Sequence, residues 1–229
     1  MPPATSSRSS PTRSIRIWDL PLRCFHWALV ICVIGAFATA QLGGLWMDWH
    51  VRFGLAVLVL VVFRLVWGVL GSHHARFGSF VRGPAAVAAY LRGTVTTAGH
   101  SPLASWSVVL MLVSLLVQVG TGLFATDGIL IEGPLAHRVD PGLSDTLTGI
   151  HQINKIVLLV LIGLHLLALL WYGVVRRQPL VRAMITGNKP AGQVPERTAP
   201  AQDDWRLGVR ALIVLAAILA VLYTWILPG

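Results

Sequence analysis

Long apolar runs separated by short polar joints dominate this chain. Five of them reach the roughly 20 residues that cross about 30 Å of hydrocarbon at 1.5 Å per residue. The first covers about Leu22 to Leu42, with Asp19 placed to cap it and Pro21 in its first turn. The others cover about Val51 to Leu70, Leu103 to Phe124, His151 to Val174, and Leu207 to Leu227. Neither heptads nor internal repeats accompany them. The stretch PAGQVPERTAPAQDD has no periodicity and much proline, which predicts little fixed structure and a tether for the last run. The pattern divides the chain into a polar tail (1–15), a four-span unit (16–189), a linker (190–206) and a fifth span (207–229). The fold class is an all-α integral membrane protein, a four-helix bundle with a fifth, peripheral helix. That fifth span, ALIVLAAILAVLYTWIL, has no histidine and no internal charge. It is expected to offer its outer face to lipid, a partner protein or a second copy.

Composition agrees with the bilayer as a partner. Hydrophobic residues make up 55% of the chain and charged ones 12%, against about 25% charged in a soluble domain. Nine tryptophans fall mostly near span ends, where the ring prefers the headgroup boundary. A net charge of +9 raises the question of nucleic acid. The basic residues flank apolar runs instead of forming an aromatic-interleaved stripe, so nucleic acid is excluded as a partner. Their distribution orients the chain. Fourteen lie on one side: Arg8, Arg13, Arg16, Arg23, Arg76, Arg82, Arg92, Arg176, Arg177, Arg182, Lys189, Arg197, Arg206 and Arg210. Only Arg52, Arg138 and Lys155 lie on the other, which carries Asp127, Glu132, Asp140 and Asp145. The positive-inside rule then puts the N-terminus in the cytoplasm and the C-terminus outside. Cys24 and Cys32 share one apolar run, with neither a zinc spacing nor a CxxCH haem attachment. They read as small hydrophobes. The first run has no small-residue cleavage site followed by polar mature sequence, and reads as a retained span.

Histidines inside these runs are the chemistry-bearing feature, because hydrocarbon penalises polar groups without partners. His26 lies near the cytoplasmic end of span one and His50 at the external end of span two. His151 opens span four, and His165 follows fourteen residues later. Fourteen residues make almost four helical turns, so these two share a face about 21 Å apart. His50 matches the depth of His151, and His26 that of His165. Two stacked bis-histidine levels suit two b-type haems, each iron held by an imidazole from either side. The haem carboxylates need cationic or hydrogen-bonding partners. Arg23, one turn before His26, and Arg64, fourteen residues after His50, serve the inner level. Arg52, Asn154 and Lys155 serve the outer one. Zinc fits less well, since two ligands per level fall short of four.

The remaining histidines are more ambiguous. His73, His74 and His137 read as solvated loop residues. His100, in GHSPLASW, reads either as a quinone or haem-carboxylate contact or as a hydrogen bond at the start of span three. Glycines 35, 54, 68, 120 and 163 would let a flat macrocycle approach the backbone, though close helix packing explains them equally. No nucleophile, base and acid set is visible, so whether the chain is an enzyme in its own right stays open.

Several motifs together resemble the bacterial cytochrome b561 and nickel-iron hydrogenase cytochrome b family. They are RIWDLPLRCFHW around His26, HVRFG and FRLVWG on span two, GHSPLASW, HQINK and GLHLLALLW on span four, and RRQPLVRAMITGNK. The resemblance covers about Arg16 to Lys189. It implies an integral electron carrier with two non-covalent b haems in a four-helix core, ligated at His26, His50, His151 and His165. It further implies electron exchange between an external redox protein, such as a hydrogenase or a cytochrome c, and menaquinone or ubiquinone in the inner membrane. Short superoxide-oxidising members are similar but have four spans, and hydrogenase-type members carry an additional helix, as here. The expectation is a respiratory electron-transfer subunit; the alternatives are a self-sufficient superoxide:quinone oxidoreductase and a haem-free membrane anchor.

Overall fold

The computed structural model describes residues 14–92, 99, 101–195 and 198–226. His100 and the basic residues Arg8, Arg13 and Arg197 lie outside the described residues. Helix α1 (Leu20–Leu42) begins as its sequence demands: the Asp19 carboxylate accepts from the Leu22 N–H at 2.8 Å, and Pro21 occupies the first turn. The chain reverses through Gly43 and Gly44, with φ of 64° and 53°, a region that side-chain-bearing residues rarely enter. It then enters α2 (Met47–Leu70). Two short helices, α3 (Phe77–Phe80) and α4 (Pro84–Leu91), lead to α5 (Pro102–Gly122), capped by Ser101.

Helix α6 (Pro141–Val174) is 34 residues long and starts ten residues before the expected His151. Asp140 caps it through the Leu143 N–H at 3.0 Å and Pro141 opens its first turn, so nothing interrupts the helix before the apolar stretch. At about 50 Å it outreaches the hydrocarbon by several turns. After α7 (Leu180–Thr186) the chain ends in α8 (Trp205–Ile226). Five helices, α1, 44–70, α5, α6 and α8, are long and apolar enough to cross a membrane.

Helix α1 packs on α2 and α5 packs on α6, while α2 also packs on α5 and so joins the two pairs. At one end the core gathers Phe25, Phe63, Trp67 and Leu112, and towards the other Val57, Val61, Leu115, Val119 and Leu158. Helix α8 covers α2 and α1 with a single stripe. Leu207, Ala211, Ile218 and Ile226 are buried in those same clusters, while Leu212, Ile213 and Leu219 face away.

The linker differs from its sequence expectation. It is docked, because its backbone and one carboxylate find partners at the start of α1. Strand β1 (Ser14–Arg16) pairs antiparallel with β2 (Asn188–Pro190), and the Ala201 N–H donates to the Arg16 carbonyl at 2.7 Å. Val194 and Ala201 are buried. Asp203 then accepts from the Leu20 N–H at 3.0 Å, from the Arg16 guanidinium, and from Arg23 at 3.5 Å. Proline removes regular periodicity, but it does not prevent a chain from lying in a fixed groove. Asp203→Ala leaves three donors without their acceptor and is expected to cost about 2 kcal/mol. The check is thermal unfolding of the solubilised chain, where Asp203→Ala should lower Tm more than Asp204→Ala, which removes only the bond that Asp204 Oδ1 accepts from the Leu207 N–H at 2.9 Å.

Candidate functional site

His50, in the first turn of α2, and His151, ten residues into α6, meet at the end of the bundle rich in acidic residues. Their ring centres are 6.2 Å apart and their planes 88° from parallel. Each ring is fixed through Nδ1. His50 Nδ1 donates to the Ala36 carbonyl of α1 at 2.8 Å, and His151 Nδ1 donates to the Gln118 carbonyl of α5 at 2.9 Å. A carbonyl can only accept, so the proton of each ring sits on Nδ1 and the lone pair on Nε2. Gly122 makes room for His151: a Cβ there would lie 2.9 Å from the ring carbon Cε1.

An apolar cavity of about 270 Å³ adjoins the pair. Val33, Phe37, Gly54, Leu115 and Leu158 wall it, and His50, Gln118, His151 and Lys155 supply its polar edge. The loop between α5 and α6 closes over it through Thr126, Asp127, Ile131 and Pro134. Asp127 holds that loop's turn, its Oδ1 accepting from the N–H groups of Ile129, Leu130 and Ile131 at 2.9 Å each. No α8 residue lines the cavity.

The second pair lies at the basic end. His26 in α1 and His165 in α6 are each half-buried there. Here polar atoms are left over: among the described residues, His26 Nδ1, Arg23 Nε and Arg64 Nη1 are buried without a hydrogen-bond partner. Arg64 is buried with its guanidinium 4.5 Å from the Phe77 ring centre, within electrostatic reach of Asp19. Arg23 spends its outer nitrogens on the Ile185 carbonyl at 2.7 Å and on Asp203. Both histidine pairs join helices that do not pack closely on each other, α2 with α6 and α1 with α6. They span gaps in the bundle, not interfaces.

Two expected outer residues are engaged elsewhere. Arg52 is exposed and lies 5.0 Å from the Trp49 ring centre. Asn154 turns to α5, donating to the Ser114 carbonyl at 2.9 Å and to Gln118 Oε1 at 2.7 Å. Lys155 lines the cavity and donates to Gln152 at 2.7 Å. Sequence reasoning passed over Ser114, Gln118 and Thr121. Their signal was present: polar residues at i, i+4 and i+7 inside an apolar helix share a face, and that face meets His151.

A family model described as prokaryotic cytochrome b561 matches residues 17–187, three quarters of the chain and all four histidines. The chain belongs to the prokaryotic cytochrome b561 family. A comparison with curated proteins finds no match. Membership implies a role in transmembrane electron transfer, as an electron-transfer subunit and not as a self-contained catalyst, and it implies b-type haem. Among the described residues no group of three or more His, Cys, Asp or Glu is placed to hold a metal ion by protein ligands alone.

Two measurements test this geometry. Gly122→Ala pushes a methyl group into the His151 ring and should displace it from the Gln118 carbonyl; the nitrogen-15 shift of His151 Nδ1 reports it. Backbone donation from Ile131 first, then Ile129 and Leu130, holds the Asp127 carboxyl below its ordinary pKa. Its stabilisation is therefore present above the ordinary aspartate value and is lost as pH falls through the depressed one. Amide exchange at residues 129–131 should accelerate in that acidic window and nowhere above it.

Proposed function

We propose that this chain is a di-haem b-type electron carrier of the bacterial inner membrane, passing electrons between a periplasmic redox partner and membrane quinone. The observation that carries the reading is the His50–His151 pair. Two imidazoles from different helices meet edge to face, each with Nδ1 donating to a backbone carbonyl and Nε2 free of its proton. The two ring centres lie 6.2 Å apart, and an imidazole from each side is the ligand set that would hold a b-type haem iron.

When bound, haem supplies the one-electron chemistry. The chain's own residues do the rest. His50 and His151 take the outer position, and the carbonyls of Ala36 and Gln118 hold their ring planes and raise their basicity. His26 and His165 take the inner position, where the unpartnered nitrogens of Arg23 and Arg64 suit carboxylate groups. Lys155 and Gln118 give the outer level its polar edge. About 21 Å along α6 separates His151 from His165, which sets one level near each membrane face. The cavity walls give the outer level an apolar lining. The excess of basic residues at the α1 start supports a cytoplasmic N-terminus and a periplasmic C-terminus.

The test is haem stoichiometry in purified chain and two variants. Two haems per chain are expected, with His151→Ala losing the outer and His165→Ala the inner. Retention of both haems in both variants overturns the ligand assignment. A colourless preparation from haem-replete cells would mean a membrane anchor, and rapid superoxide-dependent quinone reduction by the chain alone would mean an enzyme.

A further inference from the structure

A hydrogen-bond relay between α5 and α6 ends on the nitrogen that the reading above gives to iron. Its direction can be read from one fixed point. The Ser114 carbonyl only accepts, so the Asn154 atom 2.9 Å away is the amide nitrogen. The Asn154 oxygen then accepts from the Ser114 hydroxyl at 3.1 Å. That same Asn154 nitrogen lies 2.7 Å from Gln118 Oε1, which sets the Gln118 amide as well. Gln118 Nε2 consequently faces His151 Nε2 at 3.0 Å and donates to it. A ring nitrogen that accepts carries no proton, which leaves the proton on Nδ1, donated to the Gln118 carbonyl at 2.9 Å. The Thr121 hydroxyl, 3.3 Å from Nδ1, donates to the Val117 carbonyl at 2.7 Å. The Gln118 carbonyl thus holds His151 Nδ1 directly, and the Gln118 amide is held both by Asn154 and by the His151 carbonyl, which accepts from Gln118 Nε2 at 3.2 Å.

We infer that Gln118, oriented by Asn154, is a positioning residue that presets His151 for ligation and occupies its Nε2 lone pair until iron takes it. The ligation half of this rests on the haem reading; the tautomer half does not. The lone pair serves one partner at a time, so ligation requires the Gln118 amide to swing away. Its Oε1 bond to Asn154 provides a pivot. The outer level would therefore bind haem in competition with a hydrogen bond.

The experiment uses the full chain in nanodiscs, prepared haem-free and titrated with haemin, with outer and inner uptake separated by the His165→Ala and His151→Ala backgrounds. Gln118→Leu keeps the bulk and removes the donor, and should tighten outer-level binding about fivefold, the factor of one ordinary hydrogen bond. Gln118→Glu places a carboxyl against Nε2, which either draws a proton onto that nitrogen or donates a stronger bond to it, and should weaken outer binding. Opposite shifts from the two variants support the relay. Loss of affinity in both, or no change in either, makes Gln118 packing only and overturns it.

Nitrogen-15 spectra of His151 in the haem-free chain give a second readout. The wild type should show Nδ1 protonated and Nε2 unprotonated but hydrogen-bonded, and Gln118→Leu should move the Nε2 shift to that of an unbonded acceptor while Nδ1 keeps its proton. A protonated Nε2 in the wild type overturns the inference directly. If no variant takes up haemin while the wild-type tautomer is as stated, it is the haem reading that fails and the relay that stands.

Discussion

A polar group in hydrocarbon has no water to turn to, so it must find its partner inside the protein or meet a large desolvation cost. The arrangement of this bundle follows from that constraint. The polar side chains that α2, α5 and α6 carry towards the acidic end are drawn into contact: His50 with an α1 carbonyl, His151 with Gln118, and Asn154 with Ser114. Helices that would otherwise cohere only by dispersion acquire a register from these bonds. An axial slip of α6 against α5 by one residue, about 1.5 Å, would break the relay.

The two levels meet the constraint differently. At the acidic end the imidazoles have their Nδ1 atoms paired, and the loop anchored by Asp127 covers the cavity. At the basic end, His26 Nδ1, Arg23 Nε and Arg64 Nη1 are buried without partners among the described residues. Arg64 is partly compensated by lying over Phe77, since an aromatic face attracts a cation. This contrast fits carboxylate-bearing guests at the basic end, where charge is available, and an imidazole-centred site at the acidic end.

Span five is tied to the first four by the same logic. A lipid-facing helix with one apolar stripe gains little from packing in a bilayer, because lipid is as apolar as its neighbours. Asp203 supplies what packing does not. It brings the linker onto Arg16, Arg23 and the first turn of α1, one turn from His26. A change at the start of α8 is therefore mechanically connected to the inner histidine level, although α8 contributes nothing to the outer cavity.

The chain's pattern was enough to determine five long apolar helices, the start of α1 at Asp19 and Pro21, and the approach of His50 to His151. Helical rise and period are local properties, and arithmetic on residue numbers carries them to a face and a depth. Three features were beyond it. The extra turns of α6 depended on Asp140 and Pro141, read only as loop. The docked linker depended on β1 meeting β2 across more than 170 residues, a pairing that no local pattern encodes. Asn154 was assigned to a cofactor by proximity, whereas in the fold it turns to Gln118 and Ser114. Which partner a polar side chain takes is settled by distances between helices far apart in sequence. In a low-dielectric interior the nearest satisfied geometry wins, and only the tertiary structure supplies those distances.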